Sequence, residues 1–545
     1  MSEPIENRLS DCLEALYIDL RRGGELAPAD LNRALRRTNW LVEAPRNEWP
    51  EFFRRVVDLE LPLPANTERL LVAILTAMVQ QRRQALRTGE NRDSLTADDS
   101  LLKVLQQLYR QLPGQSGVKA PILTWLAAGG DLPQLELLVN LLLEDPPEQE
   151  QQVALALSPL FLKRPLPVEV LFPKLFAVID KPQLAAGVLD LANFLTREKL
   201  VPQHPGTTLA TPLIELLGSL AHSLARLEEK PEEFAETPQQ LAQRVNHSVS
   251  LLVSLCDALA LIGDERAIGK LNQALDLSHR RVRTEAAAAL ARFGEQRGKD
   301  TLIELAAEPV ARLRVLAYAQ ELNLLDKVPP EHRTPAAQAE SELVVWLAEP
   351  TQFGIPPTQI ELVDERRQRW PGYNGEVDCF LFRFAYHMRL DDGQERTYSN
   401  VGIAGPLAHA FTADLADLPP DDIYAAFAGW QAVHEEIKQY DVERLSKAEQ
   451  LEVVRLQRRL HDAGFTDIKP QQMGYFFGEK ALLATASRDG AAGVAVADFD
   501  DLLFYPARQP RRSIGLEEAY SIYKGRKLLR AFNRPPAPPN ETQSI

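Results

Sequence analysis

The sequence predicts a mostly α-helical chain: a stack of helical repeats, an α-solenoid, followed by a smaller α+β domain. Three observations carry that expectation. Leu and Ala are abundant while only 7% of residues are aromatic, a balance that suits helices packed on helices rather than sheets packed on sheets. Three successive stretches in the middle of the chain align at an offset of 31 residues. Beyond residue 342 the hydrophobic period changes from helical to alternating.

At 545 residues the chain has the length of about two to four domains, and 45% hydrophobic with 25% charged residues is ordinary globular composition. Cys12, Cys256 and Cys379 lie far apart without metal-ligand spacing, so reduced, mostly buried thiols and a cytoplasmic location are expected. The N-terminal "MSEPIENRLSDCLEALYIDL" is acidic early and has no basic start before an apolar run, unlike an export signal. No apolar stretch is expected to approach the roughly 18 residues of a membrane span. A net charge of −15 disfavours general nucleic-acid affinity, which requires a positive surface.

Residues 1–250 read as helix after helix, a divergent part of the solenoid. "NTERLLVAILTAMVQQRRQALRTG" opens on Asn66 as an N-cap, carries Leu70, Leu71, Ile74, Leu75 and Met78 on one stripe, and closes near Gly89. Residues 251–328 hold the repeat, in which Gly263 falls on Gly294, Asp264 on Glu295, Arg266 on Arg297, Leu271 on Leu302, Arg283 on Arg314 and Ala286 on Ala317. The glycine and lysine of this stretch do not make a phosphate loop. Gly263 and Gly269 are one residue too far apart for it, and Lys270 is followed by Leu271 rather than Ser or Thr. As repeat elements they make sense, with Gly263 and Gly294 ending helices and the alanine run Ala286–Ala289 admitting a close neighbour.

"LIGDERAIGKL" through "VRTEAAAALARFG" resembles a HEAT repeat of the short type named after phycobilisome lyases, over about residues 251–328. The resemblance implies HEAT-like helical repeats, a protein-interaction surface, and in some relatives help with cofactor attachment or enzyme maturation. A repeat does not by itself fix function.

After a proline-containing linker at 329–342 the α+β domain is expected over 343–534. "EVDCFLFRFAYHMRL" places Phe380, Phe382, Phe384, Tyr386, Met388 and Leu390 on one face and Arg383, His387 and Arg389 on the other, and Asp391-Asp392-Gly393 turns it into a hairpin. A second hairpin runs from "ALLATAS" through Arg488-Asp489-Gly490 to "GVAVADF". Two helices lie between. The first, "DDIYAAFAGWQAVHEEIKQY", stacks Ile423, Phe427, Trp430 and Ile437, with His434 in the same stripe as a core histidine. The second is capped by Ser446 and Glu449 and stops at Gly464. The proline-rich end, 535–545, is expected to be disordered.

Motifs for chemistry are sparse. His434-Glu435 begins an HExxH pattern, but position 438 is lysine. Asp498, Asp500 and Asp501, like Asp414, Asp417, Asp421 and Asp422, have no calcium-loop spacing and read as acidic turns and helix starts. The sequence has no nucleophile elbow, no Cys near a His and no dinucleotide loop, so no catalytic residue, metal or cofactor is assigned. His409 follows the first hairpin as a possible general base without a visible partner. An enzyme in this domain would need a pocket gathering His387, His409 or His434 with carboxylates.

Two basic features complete the reading. Arg280, Arg281 and Arg283 with Arg312 and Arg314 recur near repeat junctions, where stacking would align them into a ridge for a partner's carboxylates. The segment from Tyr505 to Arg534 carries a local balance of +6, leaving −21 elsewhere. Its Arg508, Arg511, Arg512, Lys524, Arg526, Lys527 and Arg530 flank the face Leu516, Ala519, Tyr520 and Tyr523. That segment would meet an acidic protein, RNA or an anionic membrane, or dock on the acidic body of its own chain. The function that follows is a non-catalytic scaffold or adaptor binding a protein of unknown identity. The alternatives are an enzyme or maturation factor in the α+β domain, and nucleic-acid binding through the basic segment.

Overall fold

The computed structural model describes residues 5–22, 26–43, 46–87, 99–162, 166–230, 237–389, 393–508 and 512–533. The tail 535–545, Arg511 and the turn residues Leu390, Asp391 and Asp392 lie outside them. Two compact units divide the chain, residues 1–302 and 303–545.

The first unit is helical: α1 (Ile5–Arg21), α2 (Pro28–Thr38), α3 (Trp49–Val57), α4 (Ala65–Arg87), α5 (Asp99–Gln111), α6 (Lys119–Gly129), α7 (Leu132–Glu144), α8 (Glu150–Leu157), α9 (Val168–Leu171), α10 (Pro182–Arg197), α11 (Ala210–Glu229), α12 (Pro238–Ile262), α13 (Ile268–Leu275) and α14 (Arg280–Arg292), with α15 (Gln296–Glu304) at its end. Helices pack on their sequence neighbours, as α11 on α12 and α13 on α14, and also on the helix two places along. Each even helix from α2 to α14 packs on the next even one, and the odd helices α1, α3, α5, α7 and α9 do likewise, as do α11 and α13. Two parallel layers of helices result, the signature of a solenoid, in which a pair buries its apolar stripe only against its neighbours.

Local chemistry agrees with that architecture. In α4 the predicted stripe Leu70, Leu71, Ile74, Leu75 and Met78 is buried. Asn66, expected as its N-cap, lies instead in the first turn and donates to the Leu26 carbonyl at 2.8 Å, because Ala65 already begins the helix. Gly263 closes α12 with φ +76° and donates its N–H to Leu259 O at 3.0 Å, and Gly294 has φ +88° after α14. The 31-residue period therefore carries α12 onto α14, and α14 onto α16 (Pro309–Glu321), along the sequence. Within α14, Ala286–Ala289 are buried.

One helix departs from the expectation about apolar length. Gln240–Ile262, within α12, is long and apolar enough to cross a membrane, with a mean hydropathy of 1.6. In the fold it packs on α10, α11 and α14, burying Leu251, Leu252, Leu255, Cys256, Ala258 and Leu259. A helix apolar on most sides is what a central stack position requires.

The second unit opens with α16, on which α17 (Pro335–Leu347) packs. Much of 329–342, read from sequence as a linker, thus belongs to helix. Thr334 caps α17 by accepting from Ala337 N, and Pro335 occupies its first position, where a missing N–H does no harm. Two antiparallel sheets follow. The first has the order β1 (Gln359–Arg369), β2 (Glu376–Arg389), β3 (Glu395–Ala404), β4 (His409–Ala410). The second has the order β5 (Ile437–Asp441), β6 (Thr466–Phe476), β7 (Glu479–Arg488), β8 (Ala491–Ala497), β9 (Leu502–Pro506).

Helices α18 (Pro420–Gln431) and α20 (Leu516–Phe532) share a core cluster with both sheets, including Leu381 and Ile403 of the first and Leu483 and Val496 of the second. Leu343 and Leu347 of α17 cover the other face of the first sheet through Phe380, Phe382, Phe384 and Tyr386. Leu456 and Leu460 of α19 (Lys447–Asp462) cover the second sheet through Met473, Leu482 and Ala484. Both predicted hairpins form, with Arg389 opposite Glu395 and Arg488 opposite Ala491. So does the capping box of Ser446 and Glu449.

The first of the two intervening helices is shorter than its periodicity suggests. α18 ends at Gln431, whose Oε1 accepts from Trp370 Nε1 at 2.6 Å, and Ile437 stands on β5 opposite Phe476. The residues between favour helix in isolation. Pairing with β6 overrides that preference.

Candidate functional site

Among the sequence candidates, Arg280 and Arg281 are exposed and Arg283 is half-buried, all in the first two turns of α14. Positive charge at a helix N-terminus opposes the macrodipole, so these arginines are not placed for the good of their helix. Arg312 is different. It is only 4% exposed, and its guanidinium reaches Ala306 O at 2.9 Å, Ala337 O at 2.7 Å, Ser341 Oγ at 3.3 Å and Glu340 Oε2 at 2.5 Å. The expectation that Arg312 presents its charge to a partner is thereby corrected: it ties α16 to α17. Arg314 is exposed on α16, with its guanidinium 4.8 Å from the Tyr318 ring centre.

The basic C-terminal segment folds as α20 and lies on its own domain, with Ala519, Tyr520, Ile522, Tyr523 and Leu528 buried. Its close contact with α18 is made backbone to backbone. A Cβ on Gly525 would fall 1.8 Å from Ala425 O, and one on Gly429 would fall 1.9 Å from Ser521 O. Three of its six described cations meet carboxylates of the same unit. Arg526 pairs with Asp422 at 2.5 Å, Lys527 with Asp498 at 2.5 Å and with Glu479, and Arg508 with Asp417 at 2.7 Å. Lys524 lies over the Tyr520 ring at 4.9 Å, and burial lowers its pKa. Arg512 is exposed, and its carbonyl accepts from Asp414 N.

These pairings explain the acidic runs. Asp417, Asp421 and Asp422 answer Arg508, Arg366 and Arg526. Asp498 caps its own turn by accepting from Asp500 N and Asp501 N, and accepts from Tyr523 Oη at 2.7 Å. Among the described residues no group of three or more His, Cys, Asp or Glu side chains is arranged to hold a metal ion.

The histidines do not assemble. His387 is exposed and 2.8 Å from Thr397 Oγ1. His434, expected in a core stripe, is exposed beyond the end of α18 and accepts from Glu436 N. His409 is enclosed by rings, stacked on Trp430 at 4.1 Å with Trp346 at 5.1 Å and Phe411 at 5.3 Å. Burial pulls its pKa down to about 4, so the imidazole is neutral at pH 7.

A cleft of about 520 Å³ in the second unit is bordered by β1, the start of α18, β9 and the last turns of α20. This is the size of a small-molecule site. Arg366, Arg526, Lys527 and Arg530 line it together with Asp421, Asp422 and Asp501, and the rings of Tyr424 and Tyr523 form part of the wall. None of the three histidines lines it. Arg366 is held by Asp364 at 2.8 Å and Asp421 at 2.7 Å, and lies over the Tyr424 ring at 4.4 Å. Sequence reasoning singled out Asp421, Asp422, Arg526, Lys527 and Arg530 separately. Nothing in their spacing signals that residues a hundred positions apart share a cleft, and Arg366 and Gln368 carry no motif.

No curated protein matches the chain. A family model described as HEAT repeats matches residues 239–323, the segment that contains α12 to α16. By that match, and by the paired helices that recur through it, this is a protein with HEAT repeats, shown over that segment of the chain.

Proposed function

We propose that the chain is a non-catalytic scaffold or adaptor, binding a protein partner along its helical stack. HEAT repeats generally mediate protein interactions. The observation that carries the reading is the repeat match over residues 239–323, whose helices α12 to α14 belong to the two-layer packing of the first unit. Such a stack offers a long, pre-ordered surface, and binding to it costs little ordering entropy. Arg280, Arg281 and Arg283 would meet acidic side chains of the partner, since guanidinium pairs with carboxylate in a two-point geometry. Cytoplasmic work of this kind agrees with three free cysteines.

The test is capture of partners by the intact chain, with chemical cross-links mapped by mass spectrometry. One defined protein cross-linked to residues 1–323 is expected. Replacing all three arginines by Glu in the full chain should weaken that complex by about tenfold or more. Cross-links confined to residues 343–534, or a small molecule copurifying without any protein, would overturn the scaffold reading.

A further inference from the structure

We propose that the cleft between β1, α18, β9 and α20 binds a small organic anion, a carboxylate or phosphate group carried on a compact apolar body. The argument rests on which polar groups of the cleft are already satisfied. Arg526 is committed to Asp422, and Lys527 to Asp498 and Glu479. Arg530 is exposed at the rim and has no ion pair or hydrogen bond with the described residues. Gln368 lines the cleft as well, with its amide nitrogen buried beside the Cys379 thiol. Of the described lining cations, Arg530 is therefore the one left open. A ligand that engages it must supply oxygen acceptors, and an anion does so at a guanidinium most strongly.

A second guanidinium can be released. Arg366 is shared between Asp364, whose side chain is 27% exposed, and Asp421, whose side chain is 85% exposed. Asp421 is the weaker holder, because an exposed ion pair contributes little. An incoming anion replaces it on Arg366 without leaving a buried charge bare. The positive end of α18, a helix of 12 residues that starts at the cleft with Pro420, adds to the preference. Tyr424, Tyr523, Leu503 and Leu529 supply the apolar wall for the rest of the ligand.

The experiment is calorimetric titration of the full-length protein at low ionic strength, with phenyl phosphate and benzoate as probes and inorganic phosphate to isolate the part played by the ring. Saturable one-to-one binding is expected for at least one ring-bearing probe, and the difference between the two names the preferred acidic group. Arg530→Gln should weaken it about tenfold or more, the worth of a charge-assisted hydrogen bond. Asp421→Asn should tighten it several-fold by freeing Arg366. Both positions are exposed, so circular dichroism is expected to report an unchanged fold. Absence of saturable binding by both ring-bearing probes, an affinity unaltered in either variant, or the same direction of change in both overturns the proposal.

Discussion

Removing the Arg312 guanidinium tests whether α16 and α17 are joined as one cooperative element. The side chain is 4% exposed and serves three backbone carbonyls, those of Ala306, Ala307 and Ala337, besides Ser341 and the Glu340 carboxylate. Arg312→Ala leaves those acceptors without their donor and Glu340 without its cation. Breaking one side of a buried pair costs about 3–5 kcal/mol, because the desolvated partner is left uncompensated. Arg312→Lys restores the charge but not the planar fork, and should recover only part of the loss. Glu340→Gln keeps an acceptor oxygen and should lose least. A chain of this size unfolds in stages, so the assay is local: hydrogen exchange of peptides covering 309–347. Protection there should fall by two to three orders of magnitude in Arg312→Ala, at roughly 1.4 kcal/mol per factor of ten, while peptides of residues 182–262 keep theirs. Exchange within tenfold of the parent would refute the reasoning and return Arg312 to the surface.

Two further outcomes follow from the α+β unit. Gly525→Ala should destabilise by about 1–3 kcal/mol in urea titration, as overpacking does, although alanine in an isolated helix would gain about 1 kcal/mol. A stabilised variant would mean that α18 and α20 do not meet at Ala425. His409 should titrate by NMR with a midpoint of about 4. Because that folded value is depressed below the ordinary 6.5, the unfolded chain binds the proton more readily, and the neutral imidazole's contribution, full above pH 6.5, is lost as pH falls toward 4. His409→Phe should remove that part of the pH dependence, and a midpoint near 6.5 would deny the enclosure by Trp346, Phe411 and Trp430.

Much of this chain was decided by its own local chemistry. The helix pair of the repeat follows from Gly263 and Gly294 and from the alanines of α14, and α4 follows from its stripe Leu70 to Met78, because turn, period and side-chain size act within a few residues of one another. The alternation of Phe380 to Tyr386 and the Ser446 cap are of the same kind. Other features needed partners distant in sequence. β5 became a strand because β6 stood beside it, α17 became helix on the face of the first sheet, and Arg312 turned inward because α17 offers a carbonyl and a carboxylate. The histidines each looked reactive by residue type, and only burial distinguished His409 among its rings from His434 in solvent. The cleft is the clearest case. Arg366, Asp421 and Arg530 belong to three elements, and a charge has no meaning for binding until packing decides which of its neighbours has already satisfied it.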